Sequence, residues 1–251
     1  MVTINDILNF TETFAPLHTQ MDFDNSGLLV GDKDTTVTKV LVVLDITNEV
    51  VEEAKKLNAE LIISHHPVIF SPLKKVQRSD AVYKLIHSGI DALCLHTNLD
   101  LSPEFGVNVC LAKSLDVKNY KFVEGECFLV GELDKETKAK NFAKKVKETL
   151  DCNGLRYTNG NKKVKKVGIC SGSGGDYVFL AVEQNVDLLL TGEIKHHEIL
   201  FANKCKKSII DAGHFKTEDI VIEPLCKKLA DKFPDVEFVK SNVFSDNLEY
   251  I

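Results

Sequence analysis

The chain has 251 residues, 44% hydrophobic and 27% charged. That balance belongs to soluble globular proteins and excludes disordered, collagen-like and disulfide- or metal-stapled small scaffolds. At ~100–200 residues per domain, one large or two small domains are expected, each with its own core, and the formal charge of −6 offers no overall case for a nucleic-acid binder.

In chain order, apolar residues at Ile4, Ile7, Leu8 and Phe14 behind Thr3 predict an N-capped amphipathic helix over 4–14. A turn and short strand follow at DNSGLLVGD, then a buried strand at 37–45, a helix at about 48–57 and an apolar run at 59–64. A helix near 80–88 and a strand at 90–95 continue the alternation, which predicts an α/β sheet covered by helices. Residues 120–133, YKFVEGECFLVGEL, read instead as one or two strands with glycine turns, and the domain change is placed there.

Beyond it come a lysine-rich helix over 135–150 and a hairpin turn at Asn159-Gly160. A strand at 164–170, the glycine-rich Ser171–Gly175, a helix to about 184, a strand at 186–190, a helix near 196–203 and a strand at 208–211 rebuild the α/β pattern. A last helix at 220–232 and a strand at 236–243 return to the first domain. The expected organisation is two α/β domains, 1–125 and 126–221, with 222–251 rejoining the first.

Seven cysteines, at 94, 110, 127, 152, 170, 205 and 226, form no C-x-x-C pair, and an odd number cannot all be bridged within one chain. The opening MVTINDILNF has no basic stretch followed by an apolar core, and no run reaches the ~18 apolar residues of a membrane span. A cytoplasmic protein without membrane partners is expected.

Histidine placement carries the chemistry. Leu61-Ile-Ile-Ser-His65-His66-Pro67 ends an apolar run in two imidazoles, and Pro67 keeps His66 extended. Open α/β sheets bind ligands beyond their strand carboxyl ends, and histidine is the commonest metal ligand; the competing reading is a pair of surface loop histidines. Leu93-Cys-Leu-His96 is followed by Asp100, which meets His96 only if the chain turns helically; Asn98–Asp100 reads equally as a helix-capping loop.

Gly213 permits a sharp exit from the 208–211 strand, placing His214 and Glu218 on one face of a helical turn. Glu193, His196 and His197 follow the 186–190 strand; residues 196–198 read as the polar face of a helix, the alternatives being direct ligation by His196 or His197 and proton transfer or support of a ligand by Glu193 or His197. Four strands ending in His or His/acid clusters are hard to attribute to core packing. Nitrogen and oxygen donors without thiolate point to a catalytic Zn, Mn, Fe, Co or Ni site, and their number suits two divalent ions ~3.5–4 Å apart. Gly172, Ser173, Gly174 and Gly175 read either as a tight turn or as a phosphate cradle, matching neither the dinucleotide nor the P-loop spacing.

These motifs in this order resemble the dinuclear metal-centre proteins called GTP cyclohydrolase I type 2 homologues, or Ngg-interacting-factor-three-like proteins. The resemblance runs almost end to end, through Asp24-Asn25-Ser26-Gly27, Ser64-His65-His66-Pro67, His96-Thr97-Asn98-Leu99-Asp100, Gly172–Gly175, Thr191-Gly192-Glu193 with His197, and Gly213-His214 with Thr217-Glu218. It implies two metal ions in a cleft between two α/β domains, with His65, His66, Asp100, His214 and Glu218 as ligands and His96 near or on the metals. It also implies a ring-shaped homo-hexamer. Phe23 stands where the family usually has tryptophan.

The activity so implied is hydrolytic opening of the GTP imidazole ring, with Glu193, His96 and His197 as candidates to pass protons. Ser171–Gly175, Lys195 and Lys216 are candidates for the phosphates of a phosphorylated small molecule. A different class of function, nucleic-acid binding or scaffolding by a ring with structural metals, is suggested by residues 135–166, where eleven Lys/Arg stand against three Asp/Glu.

Overall fold

The computed structural model describes residues 1–249 and 251 and has a mixed α/β fold of two compact units. Unit 1, Met1–Ser102 with Val221–Ser245, begins with β1 (Val2–Thr3), α1 (Ile4–Thr11), β2 (Gly27–Val30), β3 (Thr36–Val37) and β4 (Lys39–Val43). It continues through α2 (Asn48–Leu57), β5 (Leu61–Ser64), α3 (Ala81–Ser88), β6 (Asp91–Cys94) and the single turn α4 (Thr97–Asp100). Unit 2 then supplies α5 (Val107–Ser114), β7 (Lys118–Phe122), β8 (Leu129–Lys138), α6 (Ala139–Thr149), β9 (Arg156–Tyr157) and β10 (Lys163–Ile169). Its remaining elements are α7 (Val178–Glu183), β11 (Leu188–Thr191), α8 (His196–Lys204), β12 (Ser208–Asp211) and α9 (His214–Glu218), after which α10 (Ile222–Lys232) and β13 (Glu237–Lys240) return to unit 1.

The sheet of unit 1 has the order β13-β4-β5-β6-β2, parallel except for β2 against β6. Its central strands are nearly continuous apolar runs because both faces are covered; Leu41, Val43, Ile62 and Ala92 pack with Val50, Val51 and Ala54 of α2 and Leu85 of α3. Thr3 caps α1 as its sequence predicts: its hydroxyl accepts from the Asp6 N–H, and Asp6 accepts from the Thr3 N–H. The helix stops at Thr11, short of the expected residue 14, where the N–H groups of Thr13 and Phe14 turn back to Phe10 and Thr11.

Unit 2 carries a sheet of order β7-β8-β10-β11-β12-β9, with β10, β11 and β12 parallel and the rest antiparallel. One face packs against α5 and α6 through Val109, Leu111, Phe142 and Val146, and the other against α7 and α8 through Val178, Ala181 and Ala202.

Three further local expectations differ from the structure. The contacts change units at Ser102/Pro103 rather than near residue 125, because Val109, Leu111, Leu115 and Val117 share a core with Phe142 and Val146. Residues 135–138 extend β8, Thr137 and Lys138 pairing with Val164 and Lys163, so the lysine-rich helix starts at Ala139. Asn159-Gly160 does not close a hairpin. β9 pairs with β12 instead, and Asn159, at φ 51°, donates its amide to Asn203 Oδ1 and the Lys207 carbonyl.

Among the described residues no helix is long and apolar enough to cross a membrane, and no two cysteines are bridged.

Candidate metal centre

In unit 1, parallel register decides where the polar residues fall. Val43 pairs with Ser64 and Ser64 with Cys94, so the residues leaving β4, β5 and β6 emerge side by side as Asp45, His65-His66 and His96. The ladder continues briefly past the strands, with His65 N–H donating to Val43 O (3.1 Å), His66 N–H to Leu44 O (2.8 Å) and Leu95 N–H to Ser64 O (2.9 Å). Ser64 Oγ donates to the His66 carbonyl at 2.7 Å, a further brace on the turn into Pro67.

Three imidazoles thereby converge. Ring centroids are 5.1 Å apart for His65 and His66, 5.2 Å for His65 and His96, and 5.5 Å for His66 and His96. One ring nitrogen from each lies within 4.8 Å of the others, close enough to hold a metal ion. Each Nδ1 is already engaged: His65 with the Leu95 carbonyl at 2.9 Å, His66 with Asp45 Oδ1 at 2.8 Å, and His96 with Asp24 Oδ1 at 2.8 Å. Such acceptors fix the tautomer with the proton on Nδ1, which leaves Nε2 as the ligating atom and raises its basicity.

Asp100 arrives by the helical turn that its spacing required, and its Oδ1 stands 3.6 Å from His65 Nε2. Asn98 caps nothing here; its amide donates to the Ala15 carbonyl at 2.7 Å.

Asp24 binds the cluster to the loop before β2. Burial raises its pKa, but hydrogen bonds from His96 and Thr97, the His96 charge and the Ser26 hydroxyl outweigh it and hold the carboxyl well below the usual carboxylate range. Cys94 lies beside the same row, donating to the His65 carbonyl at 3.0 Å. Burial, with Asp24 and Asp100 adding to it, pushes its thiol well above its ordinary value, so no thiolate competes with the imidazoles.

In unit 2 the strand ends repeat this design. Gly213, at φ 87°, turns the chain out of β12 and starts α9 with His214. His214 Nδ1 meets Glu193 Oε1 at 2.8 Å, and His214 Nε2 lies 2.9 Å from Glu218 Oε2. Glu193, expected in proton transfer or in support of a ligand, meets the ring of His214 from behind and orients it. His197 is exposed on α8, its Nε2 3.7 Å from the buried Glu198.

The glycine-rich loop accommodates carboxylates. A Cβ on Gly172, at φ +57°, would fall 1.9 Å from Glu218 Oε1, and one on Gly175 would fall 2.3 Å from Glu198 Oε2. The N–H groups of Ser171 and Gly172 donate to Asn108 Oδ1 and Thr217 Oγ1, and with two carboxylates close by, the loop favours the tight-turn reading over the phosphate cradle. Lys195 pairs with Asp176 and Glu198.

In the basic stretch 135–166, Lys145, Arg156 and Lys163 pair with Asp116, Asp211 and Glu136. Lys162, Lys165 and Lys166 donate to backbone carbonyls, so six of its cations serve the fold.

Residues 2–247 match the Duf34/NIF3 (NGG1p interacting factor 3) family. A protein of Clostridium perfringens called GTP cyclohydrolase 1 type 2 homolog is 34% identical over 99% of both chains. One of the same name from Clostridium acetobutylicum is 34% identical over 90% of this chain and 89% of its own. Among solved structures, Staphylococcus aureus hypothetical protein SA1388 superposes with a TM-score of 0.92 at 30% identity, covering 99% of each chain. A Bacillus cereus protein related to NIF3 shares the fold, with a TM-score of 0.92 at 23% identity over 100% of this chain and 99% of its own.

Proposed function

The chain belongs to the Duf34/NIF3 family, and on that footing we propose that it is a dinuclear metal-binding protein working as a metal-dependent hydrolase. Its substrate is a nucleotide or a related phosphorylated small molecule, opened by chemistry of the GTP cyclohydrolase type. The carrying observation is the trio His65, His66 and His96, each with Nδ1 held by an acceptor. Two divalent ions, drawn from Zn, Fe, Mn, Co and Ni, have His65, His66, Asp100, His214 and Glu218 as ligands. The donor chemistry fits: neutral imidazoles and carboxylates, with the neighbouring thiol kept protonated. When bound, such ions supply Lewis acidity and a water nucleophile at neutral pH.

The protein's own groups do the rest. Asp24, Asp45 and Glu193 hold three imidazoles in one tautomer and orientation. His96, its Nδ1 proton held by Asp24, takes a proton at its bare Nε2 from the attacking water and, as the imidazolium, passes it to the departing ring nitrogen, the same division of labour as a base oriented by a carboxylate behind it. The ring-shaped homo-hexamer, which rests on the family resemblance, and the cytoplasmic location, which rests on seven scattered cysteines without a C-x-x-C pair, belong to this proposal.

Protein purified without chelator and analysed for metals is expected to carry two divalent ions per chain and to turn over GTP or another member of a nucleotide and phosphoester panel. A His65→Ala variant loses metal and turnover together. Wild-type protein that stays inactive across the panel with each ion restored, alongside a His65→Ala variant of full metal content, overturns the reading.

A further inference from the structure

Two large apolar rings stand in water beside the imidazole row. Phe23 is 61% exposed and Phe70 is 50% exposed, although burying such a ring contributes about 1.5–3 kcal/mol. They come from different loops, yet their centroids are 6.4 Å apart with planes tilted by 37°. Phe70 also reaches the His96 ring, at 6.3 Å and 75°.

Both loops are pinned. Asp24, next to Phe23, accepts from His96 and Thr97, and Asn25 Nδ2 donates to the Ile69 carbonyl, next to Phe70, at 2.6 Å. The far end of the second loop is tied by Asn48 Nδ2 to the Ser79 carbonyl at 3.1 Å. Under this loop lies a cavity of about 440 Å³ lined by Asp45, His66, Val68, Leu73, Asp80 and Val82 among others. Between its two ties the loop exposes Lys74, Lys75 and Arg78, and residues 71–78 contain no acid. The same short stretch therefore offers flat apolar surface, positive charge and contact with an imidazole of the donor row.

We propose that Phe23 and Phe70 form a stacking subsite for the planar heteroaromatic ring of an anionic small molecule, whose charged group meets Lys74, Lys75 and Arg78 while its reacting end lies at His66 and His96. This rests on the reading of the imidazole row as a metal-dependent catalytic site and names what selects its substrate. Aromatic faces stack on any base without hydrogen-bond readout, so the subsite recognises a ring and leaves its identity to other contacts.

The test is calorimetric titration of the full-length protein, as purified, with GTP and with inorganic tripolyphosphate, which carries the charge but no ring. GTP is expected to bind about 10-fold tighter or more, the low end of what one base–aromatic stack contributes. Phe23→Ala and Phe70→Ala each reduce GTP affinity about 10-fold and leave tripolyphosphate binding, metal content and the unfolding midpoint unchanged; Lys75→Glu weakens both ligands alike. Equal binding of the two probes by wild type, binding of neither, or wild-type GTP affinity in both Phe variants overturns the subsite. A changed oligomeric state of the Phe variants in sedimentation also overturns it, because the rings are then covered by a second copy. Ring selectivity in protein that holds no metal and turns nothing over refutes the hydrolase reading while leaving the subsite standing.

Discussion

Replacing Asp24 by alanine removes one acceptor from five donors. Its carboxylate takes hydrogen bonds from His96 Nδ1 at 2.8 Å, Thr97 N–H at 3.0 Å, the Thr97 hydroxyl at 2.5 Å, the Ser26 hydroxyl at 2.9 Å and the Asn25 N–H at 2.6 Å, and the side chain has no exposure. At about 1.5–3 kcal/mol per bond to a charged group, a simple sum is about 7–15 kcal/mol. All five share one residue, however, and the His96 ring is 15% exposed, so part of the loss is recovered by water. About 3–5 kcal/mol is expected, the usual cost of leaving a buried network without one charge. Asp24→Asn keeps one oxygen and loses about half as much.

Urea unfolding reads the effect as a lower midpoint at unchanged slope. Metal titration reads a second consequence, a weakening of metal binding as His96, whose ring centroid lies 5.2 Å from that of His65 and 5.5 Å from that of His66, loses its fixed orientation. The sign with pH follows from a folded pKa held below the unfolded value: the contribution is complete above about pH 3.9 and is lost as pH falls through the lower folded value. Asp24→Asn therefore flattens that part of the acid limb. A change under about 1 kcal/mol in Asp24→Ala with unaltered metal affinity refutes the assigned role.

Gly172→Ala must both adopt a left-handed φ of +57° and displace the Glu218 carboxylate from 1.9 Å. The backbone alone costs about 1–2 kcal/mol, so a lower unfolding midpoint and reduced metal content are expected together, whereas normal values of both refute the close approach. Glu60 accepts from the N–H groups of Thr38 and Lys39 and from the Thr38 hydroxyl; burial opposes ionisation, but these bonds prevail and lower its pKa. Its stabilisation is thus present above about pH 4.3 and fades as pH falls through the lower folded value, and Glu60→Gln removes that pH dependence, as acid titrations of both proteins monitored by circular dichroism will show.

The strand ends were legible because an apolar run that stops at a polar pair marks where a buried parallel strand leaves the sheet, and His65, His66, His96 and His214 were found that way. Asp45 obeys the same rule after β4, but a single acid at a strand end carries little signal by itself. Asp24 heads one of the motifs that carry the resemblance, but its role is not readable there, since 72 positions separate it from the imidazole it orients and only tertiary packing joins them. The i, i+4 spacing of His96 and Asp100 foretells the helical turn that the structure has, while the acceptor at His96 Nδ1, Asp24, comes from outside that spacing. The glycines at 172 and 175 announced a close approach without saying to what. Phosphate and carboxylate demand the same missing Cβ, and here Glu218 and Glu198 fill the space. Residues 103–125 were placed in the wrong half because α5 has apolar periodicity that says it must pack but not on which sheet.

The insertion of Pro103–Ile220, the main part of unit 2, between Ser102 and Val221 imposes an order of events on synthesis. Every unit 1 donor lies before residue 103, so the imidazole row is translated long before β13, the strand that pairs with the outer edge of β4. While the intervening residues emerge, β4 presents Lys39–Val43 with an unpaired backbone along one side, the feature that invites pairing with another chain. Loss of the C-terminal segment, by premature termination or a nick before Glu237, recreates that nascent edge in a finished molecule. Its outward consequence is aggregation rather than loss of ligand residues, all of which such a fragment retains.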